Sequence, residues 1–418
     1  MTRLRSLLPL ALVLMAGSPA AGGQAAPPAQ AGRGAARPPA VVSPEQQAGG
    51  RVTFRIYAPN ASSVFLNAGD LPPVTFTPPG ATPVPQTPGS PGVTVFTKGE
   101  TGVWEFTTAA PAPPGAFRYA IMVDGVRTLD PVNTRLSESN TNNWSLFFVP
   151  GIELEEIRDV PHGAVAEVFY ASSVLKTTRR MHVYTPPGYE AGDQKYPVFY
   201  LLHGAGDNDD AWTSVGRAGF ILDNLIAAGR AVPMIVVMPA GHQPPGEGAA
   251  STGAAAALAP SGINRFTQEL VADVMPHVER RYRTLTDRPH RAIAGLSMGG
   301  SQTLDIAFRH LARFAYIGVF SSGATLGGGR GAAPGGTPAP PDWETAHLAD
   351  LDDAGLKKGT KLLWLATGVD DRLIAATRTT VEVLKKHGFQ PEFKETPGAH
   401  TWLVWRDYLR EFTPRLFR

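Results

Sequence analysis

The sequence predicts an α/β domain, built on a mostly parallel sheet with helices on both faces, preceded by a small all-β immunoglobulin-like sandwich. Three observations carry that expectation. Short alternating polar and apolar runs occupy residues 51–150, whereas from Ala166 onward continuous apolar runs take turns with helix-period segments. Alternation marks strands with one buried face, and an unbroken apolar run marks a strand buried on both. In addition, Ile293-Ala294-Gly295-Leu296-Ser297-Met298-Gly299-Gly300 sets a Gly-x-Ser-x-Gly turn between an apolar run and a helix-compatible one.

The 418 residues exceed one typical domain and suggest two. With 43% hydrophobic and 18% charged residues the chain suits a soluble globular protein, and a net charge of +2 without a basic run gives no basis for a nucleic-acid or membrane partner. The absence of cysteine excludes disulfides and thiol chemistry. Arg3 and Arg5, the apolar run Leu7 to Met15 and the small residues Ala16 to Ala21 have the three-part layout of a secretory signal. The apolar part is too short to span a bilayer, so a periplasmic or secreted protein, free of the membrane after cleavage, is expected. The expected divisions are a signal at 1–21, a disordered tether at 22–45, the sandwich at 46–150 and the α/β domain at 160–418.

Within the sandwich, Val52 to Tyr57, Ser63 to Leu66, Val103 to Thr107 and Phe117 to Val123 read as strands. Pro59-Asn60, Pro113-Pro114-Gly115 and the hairpin signal Asp124-Gly125 punctuate them. The Pro/Gly/Thr tract from Pro72 to Gly92 reads as a long loop. Further on, Val168 to Tyr170 and His182 to Thr185 alternate as edge strands would, while Pro197 to Leu202, Met234 to Met238, Ile293-Ala294 and Ile317 to Phe320 are continuous runs. Between them Ile221, Leu222, Leu225 and Ile226, then Leu270, Val274 and Val278, then Leu304, Phe308 and Leu311 recur at helical spacing. Pro276 is expected to kink the second of these helices. Such alternation of strand and helix builds parallel sheets.

Gly246 to Gly262 and Gly323 to Pro341 read as surface loops, and the glycines of the second lack the flanking strand and helix of a dinucleotide-binding turn. No Walker loop, His-Glu-x-x-His or paired Cys/His set occurs, so neither a metal nor an organic cofactor is expected. Asp207-Asn208-Asp209-Asp210 lacks calcium-loop spacing and reads as a solvated turn.

Ser297 is the candidate nucleophile, because a serine at a sharp strand-to-helix turn stands exposed and Gly295 and Gly299 leave room for a strained backbone. Its hydroxyl needs a base, and the base needs a third group to hold its tautomer. Lys361 to Thr367 reads as a buried strand ending in Gly368-Val369-Asp370-Asp371, which places a carboxylate, Asp370 or Asp371, at the C-terminal edge of the sheet. Glu392 to Thr396 reads as the last strand and runs into Pro397-Gly398-Ala399-His400-Thr401-Trp402, which makes His400 the candidate base. His387 is better explained by the dipole of a Lys-rich helix end, and His242 lies by a proline-rich loop with no evident orienting acid. A developing oxyanion requires two donors, expected from the N–H of Met298 and that of Ala205 in His203-Gly204-Ala205-Gly206. His203 is expected to brace this loop beside the substrate. Trp212 and Trp402 are the other expected substrate neighbours, able to stack on an aromatic acyl ring, with packing into the core as their competing role.

From about Val165 to Phe417 the chain resembles the esterase D group of α/β-hydrolases, which includes secreted feruloyl and acetylxylan esterases, siderophore esterases and mycolyl transferases. The matching residues are Tyr184-Thr185-Pro186-Pro187-Gly188-Tyr189, Leu201-Leu202-His203-Gly204, Ala294 to Gly300, Gly368-Val369-Asp370-Asp371 and Gly398-Ala399-His400-Thr401-Trp402. The resemblance implies a Ser297, Asp371 and His400 triad, choosing Asp371 over Asp370, in a serine carboxylic-ester hydrolase that works through an acyl-enzyme. Ala205, where many relatives have Gly, and the two Gly-rich loops are departures. The sandwich resembles the early-set modules of glycogen-branching and debranching enzymes, on Phe54 to Asn60, Gly102-Val103-Trp104 and Tyr119 to Pro131. That implies a carbohydrate-facing or site-flanking role, with purely structural packing as the alternative. Together with export, these resemblances imply feruloyl or acetyl esters of plant polysaccharides as substrates. Siderophore-ester hydrolysis, acyl transfer to a sugar and carbohydrate binding without catalysis are the alternatives.

Overall fold

The structure, a computed structural model, describes residues 38–69, 71, 93–242, 260–324 and 342–418. The expected signal, most of the tether and most of three expected loops lie outside the described residues. The chain packs slightly earlier than the expected boundary after residue 45. Ser43 is buried and accepts the Arg55 N–H at 3.0 Å, and Glu45 already pairs with Thr53.

The sandwich strands are β1 (Glu45–Gln46), β2 (Val52–Tyr57), β3 (Val64–Asn67), β4 (Val93–Val95), β5 (Thr97–Lys98), β6 (Val103–Thr107), β7 (Gly115–Val123), β8 (Val126–Thr128), β9 (Leu136–Glu138) and β10 (Asn143–Val149). They form one sheet in the order β1-β2-β6-β5 and a second in the order β4-β3-β7-β10-β9, with β8 paired to β7. Alternate side chains, among them Phe54, Leu66, Trp104, Phe117, Tyr119 and Phe147, meet in one core. Each such burial is worth roughly 1.5–3 kcal/mol, which is what holds short strands together. Asp124 and Gly125 join β7 to β8 with φ of 48° and 82°, the left-handed pair that a two-residue hairpin demands.

The second region is an eight-stranded sheet of β11 (Ala164–Ser172), β12 (Thr177–Thr185), β13 (Val198–Leu202), β14 (Ile235–Pro239), β15 (Arg291–Leu296), β16 (Tyr316–Phe320), β17 (Leu362–Gly368) and β18 (Glu392–Thr396). Its order is β11-β12-β14-β13-β15-β16-β17-β18. β12 is antiparallel to both neighbours, and from β14 to β18 all pairings are parallel. Strands β13 to β17 are buried along their whole length, as their unbroken apolar runs predict. The expectation that His182 to Thr185 lie in an edge strand is corrected: β12 sits between β11 and β14, and these residues are buried.

Helices cover both faces through two apolar clusters. Ala116 and Leu146 of the sandwich join the second cluster, so the two regions share packing. Around Pro276, where the sequence predicts a kink, a π turn interrupts the helix. Pro260–Glu269 is α-helical, Leu270–Val274 forms a π turn with the Met275 N–H bonded to the Leu270 carbonyl, and Met275–Arg281 is α-helical again. A proline has no N–H to give to the preceding turn, and a π turn accommodates the lost bond. The helix already begins at Pro260, which shortens the loop expected to reach Gly262.

Candidate active site

Where β15 ends, the chain turns sharply into the helix Met298–Arg309. Ser297 occupies the turn with φ 51° and ψ −114°, a strained combination for a residue with a Cβ. The strain is imposed by close packing. A Cβ on Gly299 would lie 2.6 Å from the His203 carbonyl oxygen and 2.7 Å from that of Leu202, and one on Gly295 would collide with the Gly299 carbonyl. Only glycine on either side of the serine lets the helix approach β13 and β15 this closely.

The Ser297 Oγ lies 2.9 Å from Nε2 of His400, and Nδ1 of His400 lies 2.8 Å from Oδ2 and 3.0 Å from Oδ1 of Asp371. A carboxylate against Nδ1 keeps the proton there, so Nε2 faces the hydroxyl as an acceptor. Asp371 stands just beyond β17 and is 2% exposed. Burial acts to raise its pKa, but His400, the Leu373 N–H and the Ser321 hydroxyl outweigh it and hold the carboxyl below its ordinary value. Asp370, the other carboxylate at this strand end, is exposed, and its N–H donates to the Gly398 carbonyl at 3.0 Å. That bond ties the acid loop to the loop that carries His400.

A cleft of about 340 Å³ opens over Ser297 and His400. Gly204, Ala205, Arg372, Trp402 and Trp405 line one side of it. The sandwich supplies the other side with Asn67, Arg118, Ser139, Thr141, Asn142 and Trp144. Nothing in the sequence marked these six, because a strand pattern reports which residues face a core and not which end of the sandwich meets its neighbour. Ala205 borders the cleft, and Met298 opens the helix after Ser297, where N–H groups have no intrahelical acceptor.

Two expected substrate neighbours lie elsewhere. Trp212 is 1% exposed, packs edge-on against Trp402 at 5.0 Å and donates from Nε1 to the Leu202 carbonyl at 3.1 Å, so it belongs to the core beneath the cleft. His203 is 2% exposed, with Nδ1 donating to the Gly204 carbonyl at 2.8 Å and Nε2 accepting the Gly241 N–H at 2.8 Å. Burial lowers its pKa, and the neutral ring braces the loop instead of touching a ligand. Trp402 is equally buried, at 2% exposed, but lines the cleft.

His242 also braces the loop, donating from Nε2 to the Asp207 carbonyl at 3.0 Å, with burial and the neighbouring His203 pushing its pKa down to about 4. The solvated turn expected at Asp207 to Asp210 is corrected as well. Asp207 and Asp209 are buried, Asp207 pairing with Arg118 at 2.5 Å and Asp209 with Arg180 at 2.8 Å and His182 at 2.9 Å. Among the described residues no group of His, Asp and Glu is arranged to hold a metal ion, and no helix is long and apolar enough to cross a membrane.

Residues 172–416, more than half of the chain, match the Esterase family model. The chain belongs to this esterase family. It is similar to an endo-1,4-beta-xylanase/feruloyl esterase of Xylanibacter ruminicola, 30% identical over 389 residues that cover 88% of this chain and 45% of the relative. An esterase of Mycobacterium tuberculosis is 26% identical over 277 residues, 60% of this chain and 56% of that protein. The chain thus spans about half the length, or less, of the curated relatives it matches.

Among solved structures, a feruloyl esterase module from Clostridium thermocellum, complexed with sinapinate, aligns at TM-score 0.52 and 25% identity over 68% of this chain and 96% of that one. The enterobactin esterase of Shigella flexneri aligns at TM-score 0.56 and 17% identity, over 87% of this chain and 92% of that one. The chain therefore has the α/β-hydrolase fold preceded by an all-β region, as its sequence predicts.

Proposed function

We propose that the protein is a serine carboxylic-ester hydrolase acting on feruloyl or acetyl esters of plant polysaccharides. The observation that carries the reading is the continuous hydrogen-bonded chain from Ser297 through His400 to Asp371, set at a strained turn under an open cleft. In this mechanism the Ser297 Oγ bonds to the ester carbonyl carbon while His400 Nε2 takes its proton, and Asp371 stabilises the imidazolium. The N–H groups of Ala205 and Met298 hold the oxyanion. His400 then protonates the leaving alcohol as its C–O bond breaks, and deprotonates the water that cleaves the acyl-enzyme.

The substrate class is supported by the names of the similar proteins, a xylanase/feruloyl esterase and a feruloyl esterase module holding sinapinate. Trp402 and Trp405 also border the cleft, largely buried at 2% and 6% exposed, and give an acyl group apolar neighbours there. The layout of residues 1–21 supports export to where such polymers are found.

The test is hydrolysis of p-nitrophenyl acetate and methyl ferulate beside the folded variants Ser297→Ala and His400→Ala. Turnover by the wild type, with losses on the order of 10³-fold or more in both variants, is the expected result. A folded wild type inert on both esters but retained on xylan would turn the reading to carbohydrate binding without catalysis. Undiminished activity in the variants would remove Ser297 and His400 from the chemistry.

A further inference from the structure

The turn that carries Ala205 is gripped from outside the hydrolase region. Gly204 to Asp207 closes with the Asp207 N–H on the Gly204 carbonyl at 3.1 Å, so Ala205 and Gly206 are its corner residues. From the hydrolase side His203 and His242 hold its entry and exit, through the Gly204 carbonyl at 2.8 Å and the Asp207 carbonyl at 3.0 Å. From the sandwich side the Asn140 N–H reaches the Gly206 carbonyl at 3.3 Å, and Arg118 Nη1 donates to Asp207 Oδ1 at 2.5 Å.

Arg118 is itself immobilised. It lies on β7, with Nε on the Ser137 Oγ at 2.8 Å and Nη2 on the Glu138 carbonyl at 2.8 Å. Arg118 is 6% exposed and Asp207 5%, so the pair is largely buried where it borders the cleft. A planar guanidinium with three anchored nitrogens sets the direction as well as the distance of its partner. The grip continues along the chain: Glu138 Oε2 accepts from Asn208 Nδ2 at 3.0 Å, and the Glu138 N–H donates to Asp210 Oδ2 at 2.8 Å.

We propose that Arg118 is a positioning residue for the chemical step: by fixing Asp207 it sets the plane of the turn that aims the Ala205 N–H at the developing oxyanion. This rests on the serine-hydrolase reading above. The consequence is that the sandwich contributes to the rate of bond making even on an ester too small to touch it. An oxyanion donor acts only if aimed where the charge develops, and displacement by an ångström costs about 10²-fold.

The experiment uses the full chain and p-nitrophenyl acetate, with Arg118→Met, Arg118→Lys and Asp207→Asn, each checked for folding by near-UV circular dichroism. The expected result is a kcat lowered about 10- to 100-fold in Arg118→Met with KM changed less than about threefold. Affinity for phenylboronic acid, whose tetrahedral serine adduct needs the same donors, falls in parallel. Asp207→Asn gives a similar loss, the double variant loses no more than either single one, and Arg118→Lys recovers part of kcat. Should Arg118→Met not fold, Arg118→Lys and Asp207→Asn carry the same comparison. Folded variants with lowered thermal stability but unchanged kcat and boronate affinity would reduce the pair to a structural contact and overturn the proposal. Ser297→Ala separates the two readings: if it stays active the hydrolase reading fails with this one, and if it is inactive while the Arg118 variants keep kcat, only this proposal fails.

Discussion

Glu155 and Arg406 are both fully buried, with Oε2 and Nε 2.8 Å apart. Glu155 ends the turn Glu153–Glu155 that follows the sandwich, and Arg406 belongs to the helix Trp402–Phe412, which starts two residues after His400. Arg406 Nη1 also donates to the carbonyls of Ala116 and Val215, at 3.2 Å and 3.1 Å. One ion pair therefore joins the sandwich, the connecting segment and the helix that follows His400.

Removing Glu155 leaves the Arg406 charge in the core without this carboxylate, and removing Arg406 leaves Glu155 with only the longer contact to Arg410, at 3.7 Å. Glu155→Gln and Arg406→Met are each expected to destabilise the protein by about 3–5 kcal/mol. Glu155→Leu with Arg406→Met should cost less than the sum of the two single changes, because neither charge is left behind. Urea denaturation of the four proteins checks this.

Asp371→Asn keeps the shape of the acid but cannot hold the His400 tautomer or steady its positive form. A fall in kcat of about 10³- to 10⁴-fold is expected, with little change in KM. The carboxyl is held below its ordinary 3.8, so its charge stabilises the fold above that pH and the contribution is lost as pH falls through the folded value. The stability difference between wild type and Asp371→Asn should therefore shrink below pH 3.8, as read by denaturation at stepped pH.

His203 and His242 are both held below the ordinary 6.5, His242 at about 4. The unfolded chain takes up these protons before the native one does. Their contribution is complete above pH 6.5 and declines as the medium is acidified toward the folded values. Each group adds a slope of up to about 1.4 kcal/mol per pH unit, less for the partly exposed His242. His203→Gln and His242→Gln are expected to flatten the stability profile on the acid side of neutrality; an unchanged slope would mean that both rings take up protons in the fold as readily as in the unfolded chain.

Much of the candidate site was legible because its parts are local patterns. The glycines around Ser297, the apolar strand ending at Asp370-Asp371 and the last strand ending before His400 each follow from spacing and hydrophobic period within about ten residues. The unbroken apolar runs likewise identified β13 to β16 as central strands, since burial on both faces leaves no room for alternation. The edge position expected of β12 failed because pairing with β11 on one side and β14 on the other is set by the fold, which the strand's own residues do not encode.

What the sequence by itself determined is the order of candidate groups along the chain: a serine at a strand-to-helix turn and then a carboxylate pair, each after a buried strand, and then a histidine after the last strand. The resemblance already chose Asp371 over Asp370. Tertiary structure alone decided that Trp212 and His203 lie beneath the cleft and that Asp207 is an ionic junction instead of a solvated turn. It also decided that the sandwich walls the cleft, through contacts such as Arg118 to Asp207, 89 residues apart. The reason is physical: period and propensity report how a residue sits in its own strand or helix, whereas a contact between distant segments depends on how two separately formed cores pack together.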